Sequence, residues 1–124
     1  MKKLYFLLIS ILLVTSIFAF VISKETLVGL WKINYPSGAQ VTITFRDNGT
    51  IRAEIPSEHF TVEGKYKVKD DIVYVMDSTC GTGYWGKYKS KFFSKDSVYS
   101  ESIEDSCSGR RNTMDKQTLV RVKN

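Results

Sequence analysis

The strongest constraint on the fold is the regular alternation of apolar and polar residues from Phe60 to Val68. Val62, Gly64 and Tyr66 fall on the same side as these two residues, and charged or hydroxyl side chains occupy the positions between them. Successive side chains point to opposite faces of a β-strand, whereas an α-helix repeats about every 3.6 residues. The segment therefore predicts a long strand with one face on an apolar core.

Shorter runs of the same kind follow one another from Leu27 onward and are separated by turn residues. Asp47-Asn48-Gly49 lies between two of them, and Asn-Gly in such a place is a strong hairpin signal. The Phe92-Phe93 pair breaks the alternation of a later run and indicates a β-bulge. The eight runs predicted as strands are Leu27–Asn34, Val41–Phe45, Ile51–Ile55, Phe60–Val68, Ile72–Met76, Tyr84–Phe93, Val98–Ile103 and Leu119–Val122.

Sequential strands joined by tight turns tend to pair with their neighbours, and eight strands can close on themselves and leave no free edge. We therefore predict an all-β domain, an eight-stranded antiparallel up-and-down barrel, with a two-sheet sandwich as the alternative. No helical period is found after the N-terminal segment. The predicted inner face consists of Trp31, Ile33, Val41, Ile43, Phe45, Ile51, Ile55, Phe60, Val62, Tyr66 and Val68.

Residues 1–23 have a different character. Met1-Lys2-Lys3 is basic and residues 4–22 are mostly apolar, which is the layout of a secretory signal. As a helix the apolar stretch nearly matches the ~30 Å core of a bilayer, so an uncleaved anchor is the alternative. We predict an apolar helix in residues 1–23, signal peptide or N-terminal membrane anchor, and a folded domain in residues 24–124. The domain is then secreted, periplasmic or on the outer face of the membrane, and meets the membrane only through residues 4–22 if these are retained.

The two cysteines, Cys80 and Cys107, both lie in the predicted domain. An even pair in a small domain that folds in an oxidising compartment indicates a disulfide. A zinc site is less well supported, since the chain has a single histidine and neither cysteine has a second one nearby. The sequence therefore predicts a Cys80–Cys107 disulfide and no metal site.

Charged residues give no sign of catalysis or of nucleic-acid binding. The 18 basic and 13 acidic residues are interleaved, whereas a nucleic-acid footprint needs a basic cluster. His59 is predicted to lie on the surface, and Glu101, Glu104 and Asp105 on a solvated face, with Asp105 capping a turn. Without a nucleophile–base pair we predict no catalytic residue, no cofactor and no enzymatic activity.

Several short motifs together resemble a known family. Gly29-Leu30-Trp31 opens the first strand, Cys80 precedes Gly86-Lys87-Tyr88, and Asp105-Ser106-Cys107-Ser108-Gly109-Arg110 precedes the closing strand with Leu119–Val122. This ordered set resembles the lipocalin-like (calycin) barrels, and more closely the small exported bacterial domains of that type.

The resemblance implies a barrel closed at one end by Trp31, with an arginine packed across the indole. Arg110 or Arg111 is the candidate for that arginine, and Gly29, Trp31 and Arg110 form the expected structural motif. The family's long C-terminal helix is absent, and so is its Thr-Asp-Tyr loop motif. Because the chain is also short, the pocket should be shallow and lie at the end opposite Trp31.

Two functions follow as expectations. The first is binding of a small hydrophobic or amphipathic molecule in the barrel mouth, through residues that the sequence does not identify. The second is a structural or interaction domain with a filled core that docks on another cell-envelope protein. A cavity inside the barrel would favour the first function. A solid interior with an exposed aromatic patch around Tyr84 and Trp85 would favour the second.

Overall fold

The computed structural model describes residues 25–123, which contain eight strands. In chain order the strands are β1 Gly29–Asn34, β2 Gln40–Phe45, β3 Thr50–Ile55, β4 Phe60–Lys69, β5 Ile72–Asp77, β6 Gly86–Ser94, β7 Ser97–Glu104 and β8 Gln117–Arg121. Each strand pairs antiparallel with the next, and β8 returns to pair with β1, so the sheet closes into a barrel. The predicted all-β, eight-stranded antiparallel barrel is therefore confirmed, and the sandwich alternative is wrong.

The predicted apolar helix of residues 1–23, whether signal or anchor, lies outside the described residues. Between residues 25 and 123, no helix is both long enough and apolar enough to cross a membrane.

Local turn chemistry sets the register of the strands. In the β2–β3 hairpin the Arg46 N–H donates to the Thr50 carbonyl (2.9 Å), and Gly49 has φ +83°, which glycine adopts without strain. The register of the β6–β7 pair shifts between Phe92 and Ser94, where the sequence predicted a bulge. Both predictions are confirmed.

The core lies inside the barrel and receives side chains from almost every strand. Tyr88, Val98 and Leu119 on the later strands are as deeply buried as the early apolar residues. Of the predicted inner face, Phe60 and Val68 are exposed by 41% and 50%. These two residues are near the ends of β4, which is longer than its neighbours β3 and β5, so its ends extend beyond the core.

A short helix, α1 (Ser108–Met114), precedes β8, where the sequence predicted only a polar stretch. The prediction of no helix after the N-terminal segment is therefore wrong. Seven residues make about two turns, too few for a helical period to be recognised in a sequence. Arg110 and Met114, one turn apart, are the buried residues of the helix.

The topology gives the barrel two different ends. We call "closed end" the one with the N-terminal approach at Leu27 and the short β2–β3, β4–β5 and β6–β7 turns. The "open end" carries the other connections, including α1 and two 3₁₀ turns, Pro56–Glu58 and Ser78–Cys80. The longer connections therefore gather at the open end, where a site has room to form.

Candidate functional site

A cavity of about 360 Å³ enters the barrel from the open end. Its walls are mainly aliphatic side chains of β2 to β5, and α1 forms one lip. The cavity reaches Ile43, which is the cross-strand partner of Trp31. It is therefore deeper than the shallow pocket expected for such a short chain. Ala53 and Val62, which face each other across β3 and β4, have short side chains that leave part of this space unfilled. The lining residues are Val41, Ile43, Ile51, Ala53, Ile55, Glu58, Phe60, Val62, Gly64, Val75, Asp77, Thr79, Gly109, Arg110, Thr113 and Met114.

A buried ion pair supports the lip of this cavity. Arg110 donates from Nε to Oδ2 of Asp105 (2.7 Å) and from Nη2 to Oδ1 (3.0 Å), a bidentate arrangement. The Asp105 side chain has no exposed surface and that of Arg110 is only 4% exposed. Asp105 also accepts the Cys107 N–H (2.9 Å), so its predicted capping role is confirmed, whereas its predicted place on a solvated face is wrong.

The pKa values of this pair follow from its contacts. Burial alone would raise the pKa of Asp105, but hydrogen bonds from Arg110, Tyr88 and the Cys107 N–H outweigh it and lower the pKa below its usual value. Burial alone would lower the pKa of Arg110, and the hydrogen bonds and charge of Asp105 instead raise it. The pair is therefore fully ionised around neutral pH.

Two of the motifs behind the family resemblance, Gly86–Tyr88 and Asp105–Arg110, meet at this ion pair. Tyr88 donates its hydroxyl proton to Asp105, and burial together with that carboxylate raises the pKa of the phenol. Gly86 lies so close that a Cβ there would overlap the Asp105 carboxylate and approach Arg110 Nη2 to 3.1 Å. The Gly86-Lys87-Tyr88 motif thus provides the space and a hydrogen-bond donor for the residues of the Asp105–Arg110 motif.

Asp77 is the second carboxylate near Arg110, and it lines the cavity. Its Oδ2 lies 3.4 Å from Arg110 Nη1, and its Oδ1 accepts the Thr79 N–H (2.8 Å). The side chain is 8% exposed. Sequence reasoning missed this residue, since a single Asp at a strand end is an ordinary turn signal.

The closed end is built on Gly29, Trp31 and Arg121. Trp31 is fully buried and donates its indole N–H to the Leu27 carbonyl (2.7 Å). The guanidinium carbon of Arg121 lies 4.2 Å from the centre of the indole ring. Gly29 has φ +134°, and a Cβ there would come within 2.6 Å of Arg121 Nη1. The positive φ favours glycine at this position, and a side chain there would have to displace the end of Arg121.

The arginine expected over the indole was Arg110 or Arg111, and the structure places Arg121 there instead. Arg110 belongs to the buried ion pair at the open end, and its neighbour Arg111 donates to the Asp105 carbonyl (3.0 Å). The strand topology explains why Arg121 takes this position. β8 pairs with β1 next to Trp31, and Arg121 is the direct cross-strand partner of Trp31.

The predicted disulfide is confirmed, with the Cα atoms of Cys80 and Cys107 5.6 Å apart. It links the second 3₁₀ turn to the residue just before α1, so it joins two connections at the open end. Residues from both connections line the cavity. The bond therefore holds the lip of the cavity in place.

Replacing both cysteines with serine should lower the free energy of unfolding by about 3 kcal/mol, because the bond closes a long loop in the unfolded chain. Urea unfolding of the double variant against the oxidised wild-type protein measures this loss. Equal denaturation midpoints would contradict a stabilising role for the bond.

The other residues singled out in the sequence form no site. His59 and Glu101 are exposed, and Glu104 forms a surface ion pair with Lys87 (3.3 Å). Trp85 is half-buried beneath the Lys67 ammonium, which lies 4.4 Å from its ring centre. Within the described part of the chain, no group of three or more His, Cys, Asp or Glu side chains is placed to hold a metal ion.

The closed eight-stranded barrel is consistent with a lipocalin-like fold. The resemblance to that family consists of this barrel and of the motif residues described above. No protein-family model matches the chain, and no curated protein shows significant sequence similarity to it.

Proposed function

We propose that this domain is a non-enzymatic, lipocalin-like binding module that holds a small hydrophobic or amphipathic molecule in its cavity. The observation that carries the proposal is the apolar cavity of about 360 Å³, open at one end of the barrel. Binding sites for small molecules are usually concave, mostly apolar and about 300–1,000 Å³ in volume, with a few fixed polar groups. An eight-stranded barrel is just wide enough to hold one small ligand.

We propose further that the domain works outside the cytoplasm. The Cys80–Cys107 disulfide supports this, because such bonds persist in oxidising compartments. The basic and apolar character of residues 1–23 supports it independently.

The alternative, a filled domain that docks on an envelope protein, is less well supported. It needs a solid interior and an exposed aromatic patch. The cavity argues against the first requirement, and the packing of Lys67 over Trp85 argues against the second.

The affinity for a simple apolar ligand should be modest. Burying about 200 Å² of ligand surface at ~25 cal/mol/Å² provides about 5 kcal/mol before ordering costs are subtracted. We therefore expect a dissociation constant for 1-octanol no tighter than about 0.2 mM, unless specific polar contacts add to it.

Filling the cavity should abolish this binding. In Val62→Phe a ring would project into the cavity beside Ala53, so the affinity for 1-octanol should fall by at least about tenfold. Thr61→Phe is the matched control, because the neighbouring position on the same strand faces solvent and should leave the affinity unchanged. Isothermal titration calorimetry of both variants measures the difference. No binding to the wild-type protein, or equal affinities in both variants, would contradict the proposal.

A further inference from the structure

We propose that the cavity selects amphipathic molecules with a cationic end, an alkyl ammonium group that hydrogen-bonds to Asp77. The inference rests on the proposed binding function and specifies its ligand class. It follows from the charges in the cavity wall and from the hydrogen-bond capacity that these charges leave open.

The charged side chains that line the cavity are Glu58, Asp77 and Arg110. The positive charge of Arg110 is already neutralised by its bidentate contact with Asp105. The wall therefore carries an excess of negative charge, although the whole chain has a formal net charge of +5. The negative character is local to the cavity and opposite in sign to the rest of the molecule.

Asp77 is the buried carboxylate of the cavity wall, and most of its hydrogen-bonding capacity is unused. A carboxylate has about four lone-pair sites. Asp77 accepts one hydrogen bond, from the Thr79 N–H, and its contact with Arg110 Nη1 is long at 3.4 Å. By contrast, Asp105 accepts from Arg110 at both oxygens, from Tyr88 and from the Cys107 N–H. A buried carboxylate without a full counter-charge is costly, and a bound cation would remove that cost.

An anionic head group fits this wall poorly. Two of the Arg110 nitrogens are used by Asp105 and the third faces Asp77. A carboxylate or phosphate bound at Arg110 would lie next to Asp77 and share the cavity with Glu58. The like charges would repel each other. The guanidinium is therefore a structural partner of the two aspartates rather than an anion receptor.

The positions of these groups also fix the orientation of the ligand. Asp77 ends β5, and Glu58 lies in the first 3₁₀ turn, so both carboxylates belong to the open end. The aliphatic side chains of Ile43 and Ile51, which lie further toward the closed end, line the deeper part. An alkyl chain would enter the barrel first, and its ammonium group would remain near the mouth.

Three ligands of equal chain length test the inference on the wild-type protein. Octylamine, which is protonated at pH 7, should bind about tenfold more tightly than 1-octanol, since a hydrogen bond to a charged partner is stronger than one between neutral groups. Octanoate should bind more weakly than 1-octanol. Isothermal titration calorimetry at pH 7 and low ionic strength measures the three dissociation constants. Octanoate as the tightest ligand, or equal affinities for all three, would overturn the inference and leave the proposed function standing. If none of the three binds, the proposed function itself fails.

The variant Asp77→Asn tests whether Asp77 is responsible for the preference for octylamine over 1-octanol. The amide keeps an oxygen for the Thr79 N–H but removes the charge, so the affinity for octylamine should fall about tenfold while that for 1-octanol stays the same. Retained 1-octanol binding shows that the cavity is intact. The matched control is Asp71→Asn, which makes the same change of charge at an exposed turn of the closed end and should change neither affinity. An equal loss in both variants, or none in Asp77→Asn, would overturn the assignment. The ranking of the wild-type ligands decides the question even if Asp77→Asn fails to fold.

Discussion

Replacing Arg110 with alanine should lower the free energy of unfolding by about 3–5 kcal/mol at pH 7. The variant leaves Asp105, whose side chain has no exposed surface, without its counter-charge, and it also removes the guanidinium beside Asp77. Desolvated carboxylates without a partner account for losses of this size. Urea unfolding followed by circular dichroism measures the change.

The loss should depend on pH in a direction fixed by Asp105. In the wild-type protein its pKa is lowered, so its contribution to stability is present above the unfolded-state pKa, about 3.9, and is lost only as the pH falls further through the folded-state value. Without Arg110 the effect of burial dominates and raises the pKa, so the variant gains stability as Asp105 takes up a proton. The difference between the two proteins should therefore shrink from pH 7 to about pH 4.5.

Arg111→Ala is the control for this experiment. Arg111 is the next residue in α1, is exposed, and makes a single hydrogen bond to the Asp105 carbonyl. Its loss should be below about 1 kcal/mol and independent of pH over the same range. A pH-independent loss in Arg110→Ala, of the same size as that in Arg111→Ala, would show that the ion pair is not a major source of stability.

The parts of the fold that the sequence predicted are those encoded over short distances. Alternation along β4, the Asn48-Gly49 turn and the Phe92-Phe93 bulge each depend on neighbouring residues, and each has the predicted form. The disulfide was predictable because the described domain contains a single pair of cysteines. Closure into a barrel followed from strand number and connection length.

The parts that it did not predict depend on distant partners. Arg110, Arg111 and Arg121 precede or end the last strand, and only the register between β8 and β1 decides which of them meets Trp31. Asp105 resembled a surface carboxylate because nothing in its neighbourhood along the chain shows that Tyr88 will lie against it. The cavity depends on which small side chains face each other across β3 and β4, and sequence periodicity does not reveal that.

Replacing Trp31 with alanine should also cost about 3–5 kcal/mol of unfolding free energy, the range for large buried aromatic residues. The indole is fully buried, packs edge-on against Phe92 with ring centres 6.4 Å apart, and fills the closed end. It also lies where β1 meets β8, a pair held by only two register positions. A hole at this position should therefore weaken closure of the barrel as well as the core.

Variants of Trp85 and Arg121 distinguish the effect of burying the Trp31 indole from that of the arginine packed over it. Trp85→Ala removes a half-buried indole and should cost clearly less than Trp31→Ala in the same urea titration. Arg121→Ala should cost about 1–2 kcal/mol, since it removes the cation over the Trp31 ring and the hydrogen bonds to the Thr26, Val28 and Lys95 carbonyls. If Trp31→Ala unfolds at the wild-type midpoint, the indole does not hold the closed end. If Arg121→Ala and Trp31→Ala add independently, the cation–π contact contributes nothing, because residues in real contact should show a coupling energy of about 0.5 kcal/mol or more.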